Sequence, residues 1–83
     1  MNNLIKIYIN KLKKENIEEF TKNNNIFLNQ NEIDILYNLA KTKYQDILNG
    51  DETEIYNLKK YISEENYNKL YELYLKYKKR YLK

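Results

Sequence analysis

Apolar residues recur along this chain at helical spacing, without the sustained alternation of a half-buried strand. Ile33, Leu36, Tyr37, Ala40, Tyr44, Ile47 and Leu48 fall on one face and predict a long helix. Its start is marked by Asn29 with Glu32 three residues on, a capping box in which each side chain satisfies the other's backbone N–H. Asn49-Gly50 marks its end, because glycine takes the left-handed conformation cheaply just past a helix.

The same reading divides the rest of the chain. A first helix runs roughly from Asn3 to Lys14, with Leu4, Ile5, Tyr8, Ile9 and Leu12 as its apolar face. Asn16 is read as the N-cap of a short second helix ending in Asn23-Asn24-Asn25, residues that tolerate left-handed backbone. Ile26 and Leu28 are expected to plug the core from the loop that follows. Asp51 and Glu54 open a fourth helix carrying Ile55, Leu58 and Ile62. Ser63 caps a fifth, in which Tyr67, Leu70, Tyr71, Tyr74, Tyr77 and Tyr81 run at spacings that share one face. The predicted fold is all-α: a compact bundle of four to five short helices in a single domain, residues 1–83, with short connections that make consecutive helices neighbours.

Composition sharpens the picture by exclusion. One Gly and no Pro leave little material for hairpins or structureless linkers. Without Cys there is neither a disulfide framework nor a thiolate metal site, and a reducing, cytoplasmic setting is expected. Without His, the commonest metal ligand and general base is missing. No cofactor and no metal site is expected. Lys, Asn, Ile and Tyr dominate, and Arg80 is the only Arg, a bias of A/T-rich codons that points to an AT-rich genome. That bias places Tyr where other proteins use Leu or Phe.

Ile9-Asn10-Lys11-Leu12 with Ile17-Glu18-Glu19-Phe20, Asn25-Ile26-Phe27-Leu28 leading into Glu32-Ile33, and Asp46-Ile47-Leu48-Asn49-Gly50-Asp51 with Lys69-Leu70-Tyr71-Glu72-Leu73 form a pattern of caps and core positions. In these residues the chain resembles a small family of helical proteins from low-GC Gram-positive bacteria that is known only as a domain of unknown function. The resemblance implies a helical fold and carries over no activity, cofactor or site residue.

Candidate chemistry is sparse. The carboxylates Asp51, Glu52 and Glu54 cluster, but a capping box at the positive end of a helix explains them. Ser63 is used as a cap and has no base to activate it. No catalytic residue is assigned and an enzyme is not expected.

Charge says more. Residues 1–14 hold four lysines and no acid, whereas residues 15–36 hold five acids against Lys22. The last fifteen residues hold six cations against Glu72. There Lys69, Lys76, Lys79, Arg80 and Lys83 share the face opposite the tyrosines, a candidate basic patch for RNA phosphates that a solvated helix face also explains. If the first and last helices packed side by side, their charges would merge into one patch.

The first helix has Lys opposite Ile and Leu, a pattern shared by membrane-surface helices and, far more commonly, by core helices. No membrane partner is expected from it. The feature weighted most is the pair Ile35 and Leu39, four residues apart and off the main stripe of the third helix. A helix apolar on two sides is either central in its bundle or offers a second surface. The leading expectation is a non-catalytic protein-interaction or regulatory module that binds a protein partner, or a second copy of itself, through Ile35 and Leu39. The alternative is an RNA- or ribosome-associated protein using its basic terminal helices.

Overall fold

The computed structural model describes residues 3–81 and is an all-α bundle without strands among them. Its elements are α1 (Asn3–Lys11), α2 (Lys14–Asn23), α3 (Gln30–Leu48), α4 (Thr53–Asn57) with a 3-10 turn at Leu58–Lys60, and α5 (Glu64–Tyr81). α3 is the hub. It packs backbone-to-backbone against α1, α2 and α4, whereas α5 packs in that way against the 3-10 turn.

Most caps fall where the side chains demand them. Asn29 accepts from the Glu32 N–H at 2.8 Å, and Glu32 accepts from the Asn29 N–H at 3.0 Å, so the capping box of α3 is complete. Among the described residues, Asn25 and Gly50 are the two with positive φ, at 62° and 94°. Ser63 Oγ accepts from the Asn66 N–H at the start of α5.

Three boundaries differ from expectation, each for a local reason. α1 stops at Lys11 because the Lys41 ammonium donates to the carbonyls of Ile9 and Asn10, at 2.6 and 3.0 Å, and holds its last turn. α2 starts two residues before Asn16, whose side chain reaches back from the third helical position to accept the Lys13 N–H at 2.8 Å. α4 starts at Thr53, whose N–H donates to Asp51 Oδ1 at 3.0 Å, so Asp51 caps the helix from two residues upstream.

Ile26, Ile33 and Leu12 are buried in the half of the molecule built from α1, α2 and α3, and Ile26 does plug the core from its loop. Beyond α3, Leu58, Ile62 and Tyr67 form a second cluster, with Ile35, Leu36, Leu39, Leu70 and Tyr71 packed on it. One expected face is corrected. Leu4 and Tyr8 do not turn inward on α1: they are 74 % and 64 % exposed. Among the described residues the close backbone neighbour of α1 is α3, and the covered stripe is the narrow one through Ile5, Ile9 and Leu12.

A carboxylate joins the two longest helices. Besides its cap at Asn29, Glu32 accepts from the Ser63 N–H at 2.9 Å and from Asn66 Nδ2 at 2.9 Å. Its side chain therefore lies between the N-terminal ends of α3 and α5, where both helix dipoles favour a negative charge. Burial pushes the carboxyl pKa up, but the Ser63, Asn29 and Asn66 hydrogen bonds outweigh it and leave it below the ordinary range.

Candidate functional site

The side chains of α5 that face the bundle are large and mostly aromatic. Tyr67 is buried, whereas Leu70, Tyr71, Leu73, Tyr74 and Tyr77 are only half-buried. Six-membered rings keep a helix from closing on its neighbour as tightly as small aliphatics would. Between α3 and α5 this leaves an apolar groove of about 260 Å³, walled by Leu36 and Leu39 on one side and by Leu70, Tyr71, Leu73, Tyr74 and Tyr77 on the other. Ile55, Leu58 and Tyr67 form its floor with Phe20 at its rim. Phe20 is 45 % exposed and meets Tyr77 with ring centroids 6.0 Å apart.

The rings hold one another in register. Tyr67 and Tyr71 stack at 5.9 Å with planes 14° apart, and Tyr74 follows at 6.2 Å from Tyr71. Tyr56, from α4, leans on Tyr71 at 6.0 Å. It is exposed, as its place off the apolar stripe of its helix predicts.

One corner of the groove is polar. Glu52 Oε2 accepts from the Lys78 ammonium at 2.6 Å and from the Tyr74 hydroxyl at 2.9 Å. Its Oε1 accepts from the Tyr56 hydroxyl at 3.0 Å, and that hydroxyl lies 3.5 Å from the one on Tyr71. Lys78, Tyr74 and Tyr56 hold the Glu52 carboxyl below its ordinary range, and Glu52 raises Lys78 in return. Burial and the bond to Glu52 push Tyr74 up to about 12, and the contacts with Tyr71 and Glu52 push Tyr56 higher still. Near neutral pH every proton in this corner is therefore fixed: the carboxylate is charged and the phenols stay protonated. The corner clamps α4 to α5 and leaves the groove walls almost purely hydrocarbon.

The residues expected to carry function are distributed as follows. Ile35 and Leu39 are half-buried against the Leu58–Ile62–Tyr67 cluster. Leu39 is part of the groove wall, while both line a shallower cleft beside Tyr61 and Asn57. The tyrosine stripe, read as the buried face of its helix, is buried at Tyr67 and forms the groove wall at Tyr74 and Tyr77; the side chain of Tyr81 lies outside the described residues.

On the opposite face of α5, Lys76, Lys79 and Arg80 are exposed. Lys69 pairs with Glu65 at 3.2 Å and reaches the Asn25 carbonyl at 3.5 Å. Lys83 lies outside the described residues.

Phe20 and Lys78 carry no site role in the sequence reading, and Glu52 enters it only as part of a capping cluster. Lys78 had a signal, since it stands four residues from Tyr74 and seven from Tyr71 and so belongs to the tyrosine face. Among the described residues no three carboxylates converge to hold a metal ion, and no helix is long and apolar enough to cross a membrane. No family model, no curated protein and no solved structure matches the chain.

Proposed function

We propose that this protein is a non-catalytic interaction module that takes an apolar helical segment of a partner protein into the groove between α3 and α5. The observation that carries the reading is the groove itself: a concave hydrocarbon surface with Phe20 exposed at its rim, built on the helix that also presents Leu39. Grooves of this kind receive the apolar face of an amphipathic helix through residues three and four apart.

The chain contains no Trp, so a synthetic amphipathic helix with one Trp among its apolar anchors gives an unobstructed signal. Wild type is expected to shift that emission to the blue, and Phe20→Asp to abolish the shift while keeping the wild-type melting temperature. No shift with wild type, or the same shift with Phe20→Asp, counts against the reading. Capture from cells of the source organism, wild type against Phe20→Asp, then identifies the partner. In the self-association form of the reading, the groove receives a second copy. Light scattering that shows a monomer across micromolar concentrations removes that form.

A second reading, RNA or ribosome association, is favoured by the exposure of Lys76, Lys79 and Arg80. Its signature is steep salt dependence, because phosphate binding releases counterions whereas an apolar interface barely responds. Absence of RNA retention at low salt ends it.

A further inference from the structure

On α1, Leu4, Ile7 and Tyr8 stand three and four residues apart and are 74 %, 49 % and 64 % exposed. They form one stripe, and Lys11 continues it a turn further on. The helix has already met the bundle through Ile5, Ile9 and Leu12, and Lys41 fixes its last turn. The outward apolar residues are thus additional to the core stripe and held on a rigid support.

The charge around this stripe is of one sign. Residues 1–14 contain no acid, and Lys6, Lys11 and Lys13 are exposed. Lys14 is taken up by Asp34 at 3.0 Å and does not count. Three apolar side chains on a nine-residue helix cannot supply the roughly 800 Å² per partner of a stable protein interface. A symmetric contact between two copies would also bring the lysines of one stripe against those of the other.

An anionic lipid surface satisfies both observations. It needs no reciprocal patch, it buries Leu and Ile at the acyl boundary, it accommodates Tyr at the headgroup level, and it neutralises flanking lysines.

We infer that α1 is a membrane-surface contact, lying in the interface of an anionic bilayer through Leu4, Ile7 and Tyr8 with Lys11 and Lys13 among the headgroups. This inference does not depend on the groove. It also revises the sequence-based expectation, in which Leu4 and Tyr8 belonged to the core-facing stripe of the first helix and no membrane partner was expected.

The test is sedimentation of the full-length protein with phosphatidylcholine vesicles, with and without phosphatidylglycerol, at low salt. Wild type is expected to bind only the phosphatidylglycerol vesicles. Ile7→Ser/Tyr8→Ser should lower the partition coefficient about tenfold or more, since each side chain gives up burial of apolar surface. Lys11→Gln/Lys13→Gln should lower it about fivefold per lysine. Both variants should keep the wild-type melting temperature, and Leu4→Ser provides a second, milder change at the same stripe. The inference is overturned if wild type ignores phosphatidylglycerol vesicles, or if Ile7→Ser/Tyr8→Ser binds them as well as wild type. It is equally overturned if Lys76→Gln/Lys79→Gln on α5 reproduces the whole loss, or if Ile7→Ser/Tyr8→Ser unfolds the protein.

Discussion

Glu32 is 4 % exposed and is the only acceptor that the N-terminal ends of α3 and α5 share among the described hydrogen bonds. Replacing it by Ala strands three donors, the N–H groups of Asn29 and Ser63 and the amide of Asn66. Each stranded donor costs about 1–3 kcal/mol when water cannot replace the acceptor. Asn29 and Ser63 are exposed residues, so water recovers part of that, and the expected loss is about 2–4 kcal/mol. A domain of 83 residues has roughly 4–12 kcal/mol in total, so Glu32→Ala should remove a third or more of it. Glu32→Gln keeps the shape and one acceptor oxygen but turns an NH₂ toward one of the donors. Its cost should be smaller, about 1–2 kcal/mol.

Urea unfolding followed by circular dichroism measures both. The melting temperature should fall by about 4–8 °C for each kcal/mol lost. pH gives an independent check. Hydrogen bonding holds the folded carboxyl below its unfolded value, so its stabilisation is complete above about pH 4.3 and is lost as pH falls through the folded value. Glu32→Gln should be less acid-sensitive than wild type over that window. If both variants stay within about 0.5 kcal/mol of wild type, Glu32 does not join the helices and the reasoning fails.

Tyr74→Ala removes a groove-wall ring and should cost about 3–5 kcal/mol by urea unfolding, close to melting the protein. Tyr74→Phe loses only the bond to Glu52, about 1 kcal/mol, and should be less sensitive to alkali than wild type. The reason is that a phenol raised from about 10 to about 12 loses its stabilising bond as pH climbs through that interval. Lys76→Glu/Lys79→Glu should leave the melting temperature nearly unchanged, within roughly 0.5 kcal/mol per site, since both side chains are exposed. Gly50→Ala should cost about 1–2 kcal/mol, all of it backbone: φ is +94° and an added β-carbon meets nothing within 4 Å. A silent Gly50→Ala would show that the turn after α3 readjusts freely.

What could be read from the chain is what depends on neighbours a few residues away. Asn29 with Glu32, Asn49-Gly50 and Ser63 are short-range signals, and the structure places helix ends at each of them. The helical order and the core positions Ile26, Ile33, Leu58 and Tyr67 follow from spacing in the same way. What could not be read depends on how many neighbours a helix acquires. Periodicity located an apolar stripe on α1, but only packing decides that α3 covers Ile5, Ile9 and Leu12 and leaves Leu4 and Tyr8 outside. Glu32 was legible as a cap, while its bonds to Ser63 and Asn66 span more than thirty residues and leave no local trace. Glu52 was absorbed into a capping cluster for the same reason; its partners Tyr74 and Lys78 stand 22 and 26 residues away.

The groove is a consequence of the aromatic composition of α5. A Leu or Ile in the core can be covered entirely, whereas a Tyr must bring its hydroxyl to water or to an acceptor. Tyr74 and Tyr56 solve this through Glu52, which requires α4 and α5 to meet at that corner rather than along their length. The rings then pack mainly on one another, as Tyr67–Tyr71–Tyr74 and Phe20–Tyr77, and α3 supplies only Leu36 and Leu39 to the opposite wall. A composition that fills helix faces with tyrosine thus produces a helix stapled at its two ends of contact, Glu32 near its start and Glu52 further along, with an apolar cleft between. Shrinking the rings would close that cleft and remove the proposed docking surface together with it, so the feature that supports the proposed function is the one that keeps the core from being fully packed.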